Sequence, residues 1–154
     1  MSKILDRLFV FLVGLGIGLV ALTPTSAATR PNEKGVVQVV LDGDTIILKD
    51  HRRVRFAKIN AQEKGQCYGP EATAYVKSRL PKGTQVTLKY DTETFDFFGR
   101  TLAYVFIGNE NLNITELKLG YARIYEKNPG DRYVLQGKRA EENARKKKLG
   151  LWDC

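Results

Sequence analysis

The sequence predicts a mainly β chain with helices, an α+β domain built as a five-stranded Greek-key barrel with about three helices. Three observations carry this. β-branched runs recur with tight turn chemistry between them. A helical pattern interrupts them after the third run, and two more helical stretches follow the fifth.

The first two runs, Val36 to Leu41 (VVQVVL) and Thr45 to Lys49 (TIILK), are joined by Asp-Gly-Asp, a strong hairpin signal. KDHRR then turns into a third strand, Val54 to Ile59, and sequential strands with tight turns pair antiparallel. A loop from Asn60 to Tyr68 leads to a helix over Gly69 to Leu80. Pro70 suits its first turn, Glu71 complements its dipole, and Pro81 with Gly83 stops it. Strand character returns in Thr84 to Tyr90 and Thr101 to Ile107, linked through DTETFDFFGR. GNENLN turns into a short helix, about Ile114 to Leu119, ended by Gly120. A last helix runs from about Tyr133 to Leu149, with Glu141 and Glu142 four residues before Arg145 and Lys146. This order matches a barrel of the oligonucleotide/oligosaccharide-binding (OB-fold) type, with a helix-capped open sheet as the runner-up.

The chain has 154 residues, enough for one domain and one modest core. Its start is unlike the rest. Lys3 and Arg7 precede fifteen apolar or glycine residues, Leu8 to Leu22, and then small residues around Ser26 and Ala28. A bilayer span needs about 20 apolar residues, so residues 1–28 read as a secretory signal peptide, with an uncleaved membrane anchor as the alternative. Residues 29–34 then form a short linker, and 35–154 the folded domain. Cleavage would remove Lys3, Arg7 and Asp6 and lower the formal charge of +8 by one, leaving a strongly basic chain suited to polyanions. Solubility alone is the bland account of that charge. Neither Cys67 nor Cys154 has a Cys or His neighbour at metal-ligand spacing. Export makes a disulfide between them permissible, against two free thiols.

The chemistry-bearing residues are individually ordinary. Asp42 and Asp44 flank Gly43 at the first hairpin, where Asp-Gly needs no ligand to explain it. Arg55, however, sits inside an apolar strand, Glu63 follows on the next loop, and Arg100 opens another strand. A phosphodiester hydrolase needs such parts: carboxylate oxygens for a divalent cation, guanidinium forks for phosphate, and a carboxylate to orient or deprotonate water.

At this point the chain resembles the staphylococcal (micrococcal) nuclease family, the thermonucleases, from Gly35 to Trp152. The resemblance rests on ordered blocks: DGDT (Asp42–Thr45), Arg55 with Glu63, YGPEA (Tyr68–Ala72), GR with LAY (Gly99–Tyr104), LGYA (Leu119–Ala122) and AEENARKKKLGLW (Ala140–Trp152). It implies that Arg55 grips the scissile phosphate and that Arg100 stabilises the five-coordinate phosphorane and leaving oxygen. It implies Glu63 as general base or water-positioning group. It further implies a Ca²⁺ cofactor, held by Asp44, Asn60, the Ala61 backbone carbonyl and, through water, Glu63. Phe97, Phe98 and Tyr125 would offer stacking faces to the substrate. DNA and RNA, single-stranded or locally opened, would be cut with little sequence preference, leaving 3′-phosphate ends.

The chain departs from the family pattern at NAQE. Asn60 stands where the family has aspartate, which removes a negative charge and should weaken calcium binding. Gln62 replaces a proline and should loosen the loop that aims Glu63. Phe97 and Phe98 replace a lysine and a tyrosine of the family's best-known member. His51, the only histidine, sits in a turn and reads as solvent-exposed. The Arg145–Lys148 run reads as a solvated helix face, Asn113 as a glycosylation acceptor or helix cap, and Trp152 as packing the last helix onto the barrel. The expected protein is an exported, extracellular or periplasmic monomer without a protein partner or stable membrane association once cleaved. Its rivals are a barrel that binds nucleic acid or another polyanion without cutting it, and a structural envelope protein held by an uncleaved anchor.

Overall fold

β1 (Glu33–Asp42) is long enough to serve two sets of neighbours. Its first half pairs with β5 (Gln85–Lys89), from Glu33 opposite Leu88 to Val36 opposite Gln85. Its second half pairs with β2 (Thr45–Leu48), and the register slips between Val37 and Val39 and again between Val40 and Asp42. Such irregularities bend a strand and increase its twist, which lets one strand turn the corner of a small barrel. The computed structural model describes residues 30–125 and 130–154; the expected signal peptide lies outside them.

The remaining barrel strands are β3 (Arg53–Phe56) and β6 (Thr101–Ile107). The order β3-β2-β1-β5-β6 is antiparallel throughout, and a parallel β3–β6 pairing closes it. This is the expected five-stranded barrel, and the open-sheet alternative is set aside by that closure. The interior is packed with fully buried Val37, Ile46, Leu48, Val54 and Leu88. The alternation of these residues along their strands is what the sequence pattern required.

Three helices surround the barrel: α1 (Gly69–Arg79), α2 (Leu112–Leu119) and α3 (Val134–Lys146). A 3-10 turn (Gly150–Asp153) ends the chain. Two small strand pairs were not expected. β7 (Glu110–Asn111) folds back on β6, and β4 (Ile59–Ala61) pairs with β8 (Ala122–Ile124). The predicted third strand therefore breaks in two. The Ala57 amide still donates to the Ala103 carbonyl at 2.8 Å, but Lys58 adopts φ 64°, and the chain turns away towards β8. A positive φ at lysine has no local sequence signal.

Two other expectations change. Asn113 neither caps α2 nor faces solvent. It is fully buried, accepts from the Val105 amide at 3.0 Å, and donates to the Ala57 carbonyl at 2.8 Å. It thus satisfies backbone groups beside the seam where β3 meets β6. Trp152 lies between the guanidinium groups of Arg123 on β8 and Arg145 on α3, at 4.4 and 4.3 Å, so it joins the last helix to the β4–β8 ribbon. Cys67 and Cys154 form a disulfide with Cα atoms 6.5 Å apart, which fastens the loop after β4 to the chain end.

Asn113→Ala should cost about 2–3 kcal/mol, because it orphans buried backbone groups, and urea unfolding would measure it. Cys67→Ser should lower stability by up to about 4 kcal/mol, since the bridge closes a long loop; equal unfolding midpoints for the oxidised and serine forms would refute this.

Candidate active site

The site begins at the β1–β2 turn. Asp42 Oδ1 accepts from the Asp44 amide at 3.0 Å, which fixes the turn, and the Thr45 hydroxyl donates to Asp44 Oδ1 at 3.0 Å. Gly43 has an additional duty. A Cβ there would come within 2.7 Å of the Ala61 Cβ and 3.2 Å of the Ala72 Cβ. The missing side chain lets the tip press onto β4 and α1, so Asp44 is buried rather than left on an exposed turn.

Arg55 reaches the same place from β3, where it is paired with Thr45 across the β2–β3 ladder. Its Nη1 lies 2.6 Å from Asp44 Oδ2, and its Nη2 donates to Asn60 Oδ1 at 2.7 Å. The Ala61 amide donates to Asp44 Oδ2 at 2.7 Å. Burial pushes the Asp44 carboxyl up to about 6, while the Arg55 charge and the Ala61 N–H pull it down and the nearby Asp42 charge raises it. At neutral pH it is therefore a carboxylate facing a guanidinium.

Arg100 immediately precedes β6. Because Val54 lies opposite Thr101 in the parallel β3–β6 pair, Arg55 and Arg100 come from adjacent strands and face one open groove of about 460 Å³. Asp96 organises the loop before Arg100. It accepts from the amides of Phe98 and Arg100 at 2.9 Å each, and from the Arg100 Nε at 2.5 Å. Burial works to raise the Asp96 carboxyl, but those amides and the guanidinium hold it below the usual carboxylate range. Sequence reasoning missed this residue, since an aspartate four positions before an arginine looks like any loop charge.

Phe97, Phe98 and Tyr125 also line the groove and are 97%, 79% and 76% exposed. Aromatic faces that open to solvent are available for stacking on unpaired bases. Phe97 and Phe98 meet edge to face at 5.6 Å, and the Arg100 guanidinium lies 5.5 Å from the Phe98 ring.

Glu63 is placed differently from the sequence expectation. It is exposed on the loop after β4, outside the groove lining, and its carboxylate makes no hydrogen bond or ion pair among the described residues. Arg55 is held by Asp44 and Asn60 instead. Nor is the loop loosened by Gln62. The Gln66 side chain accepts from the Glu63 amide at 2.8 Å, the Gln66 amide donates to the Glu63 carbonyl at 2.8 Å, and the Gln62 amide donates to the Tyr121 carbonyl at 3.2 Å. Gly69 packs so closely that a Cβ would overlap the Glu63 carbonyl. Backbone hydrogen bonds, that close approach and the disulfide supply the order that a proline would have given.

The donor chemistry here fits a hard divalent cation. The Asp44 carboxylate and the Asn60 amide oxygen already turn towards one positive group, the Arg55 guanidinium. Ala61 aims its N–H at Asp44, and in an extended residue the carbonyl projects to the same edge. Among the described residues no group of three or more His, Cys, Asp or Glu could hold a metal. A cation would therefore rest on mixed carboxylate, amide and carbonyl oxygens.

The family model described as "Staphylococcal nuclease homologue" matches residues 53–154. A thermonuclease of Staphylococcus intermedius is 38% identical over 130 residues, which span 79% of this chain and 77% of that protein. A thermonuclease of Staphylococcus hyicus is 36% identical over 122 residues, 73% and 72% of the two chains. An uncharacterized endonuclease of Escherichia coli O157:H7 is 40% identical over 124 residues, 77% and 76% of the two. With the barrel and the paired arginines, these likenesses show that the chain belongs to the staphylococcal nuclease family.

Proposed function

We propose that this protein is an exported, calcium-assisted nuclease that hydrolyses DNA and RNA with little sequence preference and leaves 3′-phosphate ends. The observation that carries the reading is the pair Arg55 and Arg100 on adjacent strands, lining one groove with exposed aromatic faces. Two guanidinium forks converging from neighbouring strands suit a phosphodiester, whose non-bridging oxygens gain charge as the phosphorus becomes five-coordinate.

Each residue has a separate task. Arg55 exchanges its contacts with Asp44 and Asn60 for a non-bridging phosphate oxygen. Arg100, steadied by Asp96, approaches the opposite side and neutralises the oxygen that departs when the P–O5′ bond breaks. Glu63, which the family resemblance gives the water-activating role, lies outside the groove lining; it would orient the attacking water and take its proton once substrate brings the phosphate within reach of its loop. Phe97, Phe98 and Tyr125 stack on bases without reading their edges, which accounts for tolerance of sequence and of sugar. Asp44, Asn60 and the Ala61 carbonyl would hold Ca²⁺, which supplies further positive charge at the phosphate. The exposed aromatic faces suit single-stranded or locally opened nucleic acid, and the protein acts on it as a monomer.

Purified protein should cut denatured DNA and RNA in Ca²⁺ and stop in chelator. Arg55→Ala, Arg100→Ala and Glu63→Gln should each lower kcat/KM by about a hundredfold or more. Cutting that persists in chelator would refute the cation assignment, and full activity in Glu63→Gln would transfer the water to another group. Export predicts a mature N-terminus near Thr29, checked by N-terminal sequencing of the protein outside the cytoplasm; a retained Met1 would support the anchored form instead.

A further inference from the structure

Among the described residues, Asp91 and Glu116 are buried acids for which the reading above has no task; Asp91 accepts from the Tyr104 hydroxyl and the Arg132 amide, whereas Glu116 has no such partners. It sits on α2 among Leu112, Ile114 and Leu117, is 0% exposed, and neither of its carboxylate oxygens has a hydrogen-bond partner among the described residues. Leucine would fill a similar volume at this position at no polar cost. Burying an unpaired carboxyl costs about 1–3 kcal/mol even when neutral, and several when charged. Something beyond the protein's own groups must offset that.

The direction in which Glu116 looks is set by the fold. The far end of α2 is tied to the site strand: the Tyr121 amide donates to the Glu116 carbonyl at 2.9 Å, and the Tyr121 carbonyl accepts from the Gln62 amide at 3.2 Å. β8, which follows, pairs Ala122 with Ala61. α2 therefore lies beneath the segment that carries Asn60 and Ala61. The charges felt by the Glu116 carboxyl are those of Asp44, Arg55 and Asp42, and burial with the two aspartates raises it well above the ordinary glutamate range. The Tyr75 hydroxyl on α1 is also within its electrostatic reach. The carboxyl is thus buried on a helix that packs against β4, within reach of the Asp44–Arg55 pair.

This deepens the calcium reading and rests on it. A Ca²⁺ site gains affinity with the number of charged ligands, and Asn60 leaves Asp44 as the only carboxylate that would meet the ion directly, Glu63 entering only through water. We propose that Glu116 supplies the second carboxylate of the cation site, directly or through one water, from α2 in place of the charge absent at Asn60. The site would then carry two negative charges against a divalent ion. Two carboxylates with amide and carbonyl oxygens agree with the lack of any three-acid cluster among the described residues.

Calcium titration calorimetry at neutral pH, on wild type, Glu116→Gln, Glu116→Leu and Glu116→Gln with Asn60→Asp, tests this, alongside urea unfolding of the metal-free proteins. Glu116→Gln should weaken Ca²⁺ binding at least tenfold while leaving metal-free stability unchanged or higher, and Glu116→Leu should do the same. Asn60→Asp in the Glu116→Gln background should recover most of the affinity. Unchanged Ca²⁺ affinity in both single variants would overturn the proposal while leaving the calcium reading standing. Wild type that binds no Ca²⁺ would overturn both. A variant that loses metal-free stability with its Ca²⁺ affinity intact would assign Glu116 a structural role only.

Discussion

The pairing of Asp44 with Arg55 is the contact on which the arrangement of this site depends. It joins the β1–β2 turn to β3, and through the Ala61 amide it fastens both to β4. Nearly buried ion pairs are costly to assemble, and this one is sustained by its extra hydrogen bonds from Thr45 and Ala61 and by the Asn60 oxygen on the second guanidinium nitrogen. A cation would compete with the Arg55 guanidinium for the Asp44 and Asn60 oxygens, and a phosphate would compete with those oxygens for the guanidinium.

Around that contact, the barrel supplies rigidity and the loops supply access. Arg55 sits on β3 and Arg100 immediately before β6, so the parallel β3–β6 closure brings them to one end of the barrel and the Asp96-held loop sets the Arg100 side chain. The groove is floored by strands and rimmed by exposed aromatic side chains. Such a division suits a substrate recognised by its phosphates and base faces rather than by any particular sequence.

The loop carrying Glu63 illustrates how one form of order can replace another. A proline restricts the chain covalently, through φ. Here the same stretch is restrained by Gln66 side-chain and backbone bonds, by the Gly69 approach and by the Cys67–Cys154 bridge. In the proposed cation site, the charge missing at Asn60 would likewise be supplied from elsewhere, by Glu116 of α2. The loop's restraint comes from residues just beyond NAQE and from the distant Cys154, so neither replacement was visible in NAQE itself.

Much was legible from the residues alone. The order of the barrel strands and helices, the hairpin at Asp42–Thr45 and the permissible Cys67–Cys154 pair follow from local patterns of polarity, turn chemistry and cysteine count, and Arg55 and Arg100 stood out by residue type and setting. Those are short-range properties, written in neighbouring side chains. The break of the third strand at Lys58, the buried position of Asn113, the role of Asp96 and the buried, unpaired carboxyl of Glu116 were not. Each depends on which distant segment packs opposite, and a polar residue on a helix reads as solvent-facing until its neighbours are known. Chain order specified which chemical groups are present; long-range packing set which of them share one low-dielectric space, because burial and charge coupling act through distance in three dimensions and not along the backbone.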